Sequence, residues 1–166
     1  MERLINTLIA GGVLAFVLFG VAVAGPLEDG QAAYLRGDYA AVLAYWGPLA
    51  EQGDARAQGT LGWMYDTGQG VAQDFVQAAV WYRKAAEQGY ATAQFSLGEM
   101  YADGRGVPQD AIMAHLWFNL AASRAMAADF ATRDQALRNR DELAAKMTPA
   151  QIAEAQRMAR EWKPMK

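Results

Sequence analysis

Residues 57–74 read Ala-Gln-Gly-Thr-Leu-Gly-Trp-Met-Tyr-Asp-Thr-Gly-Gln-Gly-Val-Ala-Gln-Asp, and residues 93–110 read Ala-Gln-Phe-Ser-Leu-Gly-Glu-Met-Tyr-Ala-Asp-Gly-Arg-Gly-Val-Pro-Gln-Asp. A displacement of 36 positions lays one on the other. Extended back to Ala55 on Ala91 and forward through Ala78, Trp81, Ala85 and Ala86 on Ala114, Trp117, Ala121 and Ala122, it gives 16 identities in 36 positions. A fixed period of about 20 to 50 residues marks a stacked array. Each unit of such an array buries its apolar face on its neighbours, and the stack presents an extended concave surface. The repeat therefore points to recognition before it points to chemistry.

Within the unit 54–89 the apolar positions Ala57, Leu61, Met64 and Tyr65 recur at helical spacing, which predicts a first helix over residues 54–66 with Asp54 as its N-cap. Gly68 and Gly70 supply the positive φ angles of a tight inter-helix turn. A second helix is expected from Asp74, capped by its side chain, with Gln77 in the capping-box position and Ala78, Trp81 and Ala85 facing inward. Gly104, Gly106, Asp110 and Trp117 repeat these roles in the unit 90–125. Small residues at the contacts with large aromatics between them predict close stacking, so the fold class is an all-α, α/α superhelical solenoid.

These residues resemble the Sel1-like repeat, a relative of the tetratricopeptide repeat. The resemblance rests on the Ala57-Gln58-x-x-Leu61-Gly62-x-Met64-Tyr65 run, the paired glycines at a fixed offset, and Trp81-Tyr82-x-Lys84-Ala85-Ala86-Glu87-Gln88-Gly89. A partial third copy lies upstream, where Asp38-Tyr39 through Tyr45-Trp46 to Gly53 tracks Asp74-Phe75 through Trp81-Tyr82 to Gly89. Residues 25–53 then form a degenerate N-terminal capping repeat whose first helix shortens to about Glu28–Leu35. The resemblance spans roughly residues 29–125 and implies a protein-interaction adaptor.

Both ends depart from the period. Met1-Glu2-Arg3 precedes an almost unbroken apolar run from Leu8 to Val23, and Ala22-Val23-Ala24 suits signal peptidase. Residues 1–24 therefore read as a signal peptide cleaved before Gly25, or alternatively as an uncleaved anchor formed by residues 4–23. Either reading places the remainder outside the cytoplasm, in the periplasm or secreted, and membrane contact arises only in the second. Residues 126–166 read as C-terminal capping helices. One spans 129–147 with Phe130, Leu137 and Leu143 inward. The other opens on a capping box at Thr148–Gln151 and presents Ile152, Ala155, Ala159 and Trp162 on one face.

The chain has 166 residues, 53% of them hydrophobic, and a formal charge of -3. That is enough apolar sequence for a core and offers no basic field for nucleic acid. With no cysteine, disulfides, thiolate nucleophiles and cysteine zinc sites are excluded together. His115 is the single histidine and reads as structural. Neither Ser96 nor Ser123 lies in a nucleophile motif, so the β-lactamase activity attached to cysteine-rich relatives has no nucleophile here. The Gly-x-Gly loops follow no strand and precede no Gly-Lys-Ser/Thr, so they read as turns and not as phosphate cradles. The expectation is a non-enzymatic protein with no cofactor.

Function is then sought where the two units differ, because scaffold residues recur and contact residues need not. By the tetratricopeptide analogy the concave positions are Arg56, Gly59, Trp63, Asp66 and Thr67, then Thr92, Phe95, Glu99, Ala102 and Asp103. Arg56, Trp63, Asp66, Phe95, Glu99 and Asp103 are the candidate partner contacts, with Trp63 and Phe95 as aromatic anchors beside an acidic rim. Packing of the same two aromatics on the terminal helices is the competing assignment. The expected partner is a protein or peptide in the cell envelope. The alternative is an envelope glycan, held by stacked aromatics, or a peptidoglycan-processing enzyme.

Overall fold

The computed structural model describes residues 25–125 and 130–165. The leader or anchor assigned to residues 1–24 lies outside the described residues. Eight helices are described: α1 (Pro26–Arg36), α2 (Tyr39–Glu51), α3 (Ala55–Thr67), α4 (Phe75–Glu87), α5 (Ala91–Asp103), α6 (Ala111–Arg124), α7 (Phe130–Ala144) and α8 (Pro149–Glu161). Each of α1 to α6 packs on the next in sequence, and α7 and α8 both pack on α6. The described residues contain no strand. This is the stacked arrangement of helix pairs that the period predicts.

Repeated side chains perform the same local task twice. Asp54 accepts the Ala57 N–H at 2.8 Å, while Asp74 accepts the N–H groups of Val76 and Gln77 and Asp110 those of Ile112 and Met113. Gln77 sits in the capping-box position, but no hydrogen bond from its side chain back to the cap occurs among the described residues. Only half of that box forms. The box at Thr148 is complete, with Gln151 Oε1 accepting the Thr148 N–H at 2.9 Å.

Helices α3 and α5 end on left-handed glycines, Gly68 at φ 73° and Gly104 at φ 69°, followed by Gly70 at φ 75° and Gly106 at φ 67°. The loop is then stapled to its own helix, Gln73 Nε2 donating to the Asp66 carbonyl at 2.8 Å and Gln109 Nε2 to that of Ala102 at 2.7 Å.

Successive units are joined by an equally repeated bond. Gln58 Nε2 donates to the Ala50 carbonyl and Gln94 Nε2 to the Ala86 carbonyl, both at 3.0 Å. Each buried amide thus finds an acceptor in the last turn of the preceding helix, on a carbonyl that also accepts the N–H of Gly53 or Gly89. Within a unit, contact is close because Gly62 and Gly98 have no side chain. A Cβ at Gly62 would stand 2.5 Å from the Tyr82 ring, and one at Gly98 would stand 2.7 Å from the Phe118 ring.

The core divides along the stack. Val42, Trp46, Ala57, Leu61, Met64 and Trp81 form the N-terminal cluster, and Tyr82, Leu97, Met100, Trp117 and Phe118 anchor the next. At the C-terminal end the inward face of α7 differs from expectation. Phe130 is 62% exposed, whereas Ala136 is fully buried against Ala121 and Ala122 with Leu137 beside it. Phe130 is the first residue of its helix and lies beyond the contact with α6, which a small residue makes instead. Ala155 is buried on α8, and the Trp162 ring meets Trp117 edge-on at 6.4 Å.

Candidate functional site: a groove on the inner helices

The first helices of three successive pairs, α1, α3 and α5, enclose a groove of about 690 Å³. Gln31 and Tyr34 come from α1, and Arg56, Gly59, Thr60 and Trp63 form one stripe of α3. The start of α5 contributes Thr92 and Ser96, with Tyr90 just before it, while Trp46 and Tyr82 reach in from the second helices and Arg124 from the end of α6. The groove exists at this place because of Gly59. A Cβ there would meet the Tyr90 ring at 2.7 Å, and the equivalent position one unit later is filled by Phe95, whose ring packs on Phe118 at 5.7 Å.

The candidate contacts named from sequence separate into distinct places. Arg56 and Trp63 line the groove. Trp63 is half-buried, its indole 5.5 Å from both the Tyr34 and Tyr39 rings, so it joins the N-terminal helix pair to the first full repeat as well as facing the groove. Phe95 packs toward α6 and lines no described cavity. Glu99 and Asp103 line a separate cleft between α5 and α7, with Glu142 and Lys146 opposite. Asp66 is held by Arg105 at 2.9 Å, and Arg105 also approaches Asp103 at 3.4 Å. The acidic rim therefore does not edge the aromatic groove, whose lining contains two guanidinium groups and no carboxylate.

Tyr34, Trp46, Tyr82, Tyr90 and Arg124 line the groove and were not singled out by sequence. Two of them left a signal. Tyr90 occupies the position held by Asp54 in the preceding unit and makes no capping bond, and Arg124 stands where that unit has Gln88. Both are departures from the repeat, the criterion that selected Arg56 and Trp63.

Electrostatics follow from burial. The Tyr82 phenol is pushed well above its ordinary value, first by burial and then by Asp66, with a hydrogen bond to Ser96 opposing. Burial also raises the Glu99 carboxyl, Asp103 and Asp66 adding to the effect and Arg105 opposing it. A carboxyl raised in the folded state binds more protons there than in the unfolded chain. Its contribution to stability is complete below the ordinary carboxylate range and is lost as pH rises through the folded value. Glu99→Gln is therefore expected to flatten the fall in melting temperature on going upward from acid toward neutral pH. Parallel pH profiles for the two proteins would contradict it.

His115 is 2% exposed, and its Nδ1 has no hydrogen-bond partner. Burial, then Arg140, lowers its pKa, while Asp141 opposes. No group of three or more candidate metal ligands occurs among the described residues.

A stack of helix pairs that opens an aromatic groove on its inner helices defines an α-solenoid. Residues 55–90 and 91–126 each match the Sel1 repeat model. A protective antigen present in uropathogenic Escherichia coli strains, displaying an SLR fold, superposes with a TM-score of 0.73 at 31% identity, over 84% of this chain and 30% of that one. A Sel1 repeat protein from Oxalobacter formigenes superposes with a TM-score of 0.57 at 36% identity, over 60% of this chain and 41% of that one. No curated protein sequence matches. The chain is a Sel1-like repeat protein, and it spans less than half the length of these two relatives. Sel1 repeats are protein–protein interaction modules, typically non-enzymatic scaffolds.

Proposed function

We propose that this protein is an exported adaptor or regulator of the cell envelope that binds a segment of a partner protein in the groove between α1, α3 and α5. The observation that carries the reading is the groove itself: about 690 Å³ lined by five aromatic rings, with hydroxyl groups from Thr60, Thr92 and Ser96 between them. Aromatic anchors with a few polar groups are what interfaces use for affinity. The apolar leader supplies the envelope assignment, with the mature chain beginning at Gly25.

Thr92 is exposed at the lip of the groove, so Thr92→Trp should fill it without disturbing the core. The exported chain is used as bait on an envelope fraction, after its mass has located the N-terminus. A prey protein retained by the wild type and reduced more than about tenfold by Thr92→Trp, at unchanged melting temperature, is expected. Retention of soluble peptidoglycan fragments in place of a protein would favour the glycan reading. Prey that ignores Thr92→Trp would remove the groove from the interface.

A further inference from the structure

The groove carries two guanidiniums and no carboxylate, and that charge names the chemistry of its occupant. Arg56 is the second residue of α3 and Arg124 the last of α6. No carboxylate of the described residues pairs with either. Arg124 is held in place by the Trp162 ring, its guanidinium 4.4 Å from the ring centre, and would lie 3.4 Å from a Cβ at Gly89 on the groove wall. The groove also receives the first turn of α5, which has no side-chain cap and whose N–H groups carry partial positive charge. Farther along α3 and α5, Asp66 is paired with Arg105, and Glu99 and Asp103 line a separate cleft, so no acid offsets the two guanidiniums within the groove. From Arg56 to Trp63 is seven residues of helix, about 10 Å, the reach of about three residues of extended chain.

Resting on the reading that the groove binds a partner protein, we propose that its occupant is an extended segment carrying Asp or Glu side chains beside an aromatic or large apolar residue, with the carboxylates at the Arg56–Arg124 end. Charge complementarity carries this. Two guanidiniums on different elements flank a lining without acid, and each is a fork that accepts a carboxylate in bidentate fashion. Side chains are preferred to a single chain terminus because successive residues of an extended strand point to opposite sides, so neighbouring acidic residues present one carboxylate to Arg56 and one to Arg124.

The test is fluorescence anisotropy with three labelled, C-terminally amidated octapeptides that share two aromatic residues. One carries adjacent Glu pairs, one replaces them by Gln, and one by Lys; a fourth keeps Gln but has a free C-terminus. The Glu peptide is expected to bind at least tenfold tighter than its Gln counterpart. That preference should weaken with added salt and fall to less than threefold in Arg56→Gln, a change at an exposed side chain. Arg124→Gln should act in the same direction. Equal binding of Glu and Gln peptides, sensitive to Thr92→Trp, would overturn the charge assignment and leave the groove as a binding site. A preference for the Lys peptide, or for the free C-terminus over Glu side chains, would overturn it too. Absence of Glu-peptide binding at millimolar concentration would overturn it independently of whether a protein prey is captured.

Discussion

Gly106→Val is expected to cost about 3 kcal/mol or more, the sum of a left-handed backbone imposed on a side chain and an overpacked contact. Gly106 has φ 67°, a conformation that a β-branched residue adopts only with strain. Its Cβ would also collide with the backbone carbonyl of Phe75 and stand 2.9 Å from the Val76 nitrogen. That backbone is the first turn of α4, fixed by the Asp74 cap, so it cannot yield as a side-chain tip could. The loop of one unit is thus wedged against the helix start of the unit before it, and the substitution should loosen the seam between repeats as well as the loop.

Comparison with the neighbouring glycines gives the prediction its shape. Gly70 meets the equivalent residue of the first pair, but through the Tyr39 Cβ at 2.6 Å and the Met64 terminal methyl at 3.1 Å. Gly70→Val should be costly but milder. At Gly104 the nearest atom is the Gln109 Cβ at 3.3 Å, so Gly104→Ala should lose little beyond the backbone term of about 1–2 kcal/mol. Urea unfolding of the three variants measures the order. Gly106→Val within about 1 kcal/mol of wild type, well inside the predicted backbone and contact terms, would show that the seam tolerates a side chain.

The parts of the fold legible in sequence were those set by local rules. The Asp54, Asp74 and Asp110 caps, the glycine loops and the Thr148 capping box each depend on residues a few positions apart, and each formed as read, apart from the return bond of Gln77. What sequence did not resolve was set by which helix lies next. Trp63 reads the same whether its indole faces a partner or Tyr34 and Tyr39, because those rings are 29 and 24 positions away in a pair too degenerate to align confidently with the repeat. Phe130 fits an apolar stripe on paper, but α7 meets α6 through Ala136. The groove includes Arg56, Gly59 and Trp63 of the expected concave positions but not Phe95, whose ring fills the space that Gly59 leaves open one unit earlier. The positive charge of its lining appears only when Arg124, far along the chain, joins Arg56 in the groove.

The second large effect is expected at Trp46. Trp46→Ala should lose about 3–5 kcal/mol, as truncation of a fully buried aromatic does. The indole is 2% exposed, and its Nε1 donates to the Leu27 carbonyl at 3.1 Å, joining α2 to α1. Gly30 has no side chain where the ring passes, and a Cβ there would collide with the indole. Trp46 is thus the principal fixture of the N-terminal pair. In a stack where each unit contacts only its neighbours, damage at one end need not unfold the other. The variant should therefore melt in two steps, the α1–α2 pair and the cluster it shares with Trp81 loosening before the units built around Trp117. Because Tyr34 and Trp46 both line the groove, the lower-temperature step should abolish peptide binding while most helical signal remains. Trp63→Ala, at a half-buried ring, should lower stability by only about 1–2 kcal/mol and keep a single transition. A single cooperative melt for Trp46→Ala at the wild-type temperature would show that the first pair is held by something other than this indole.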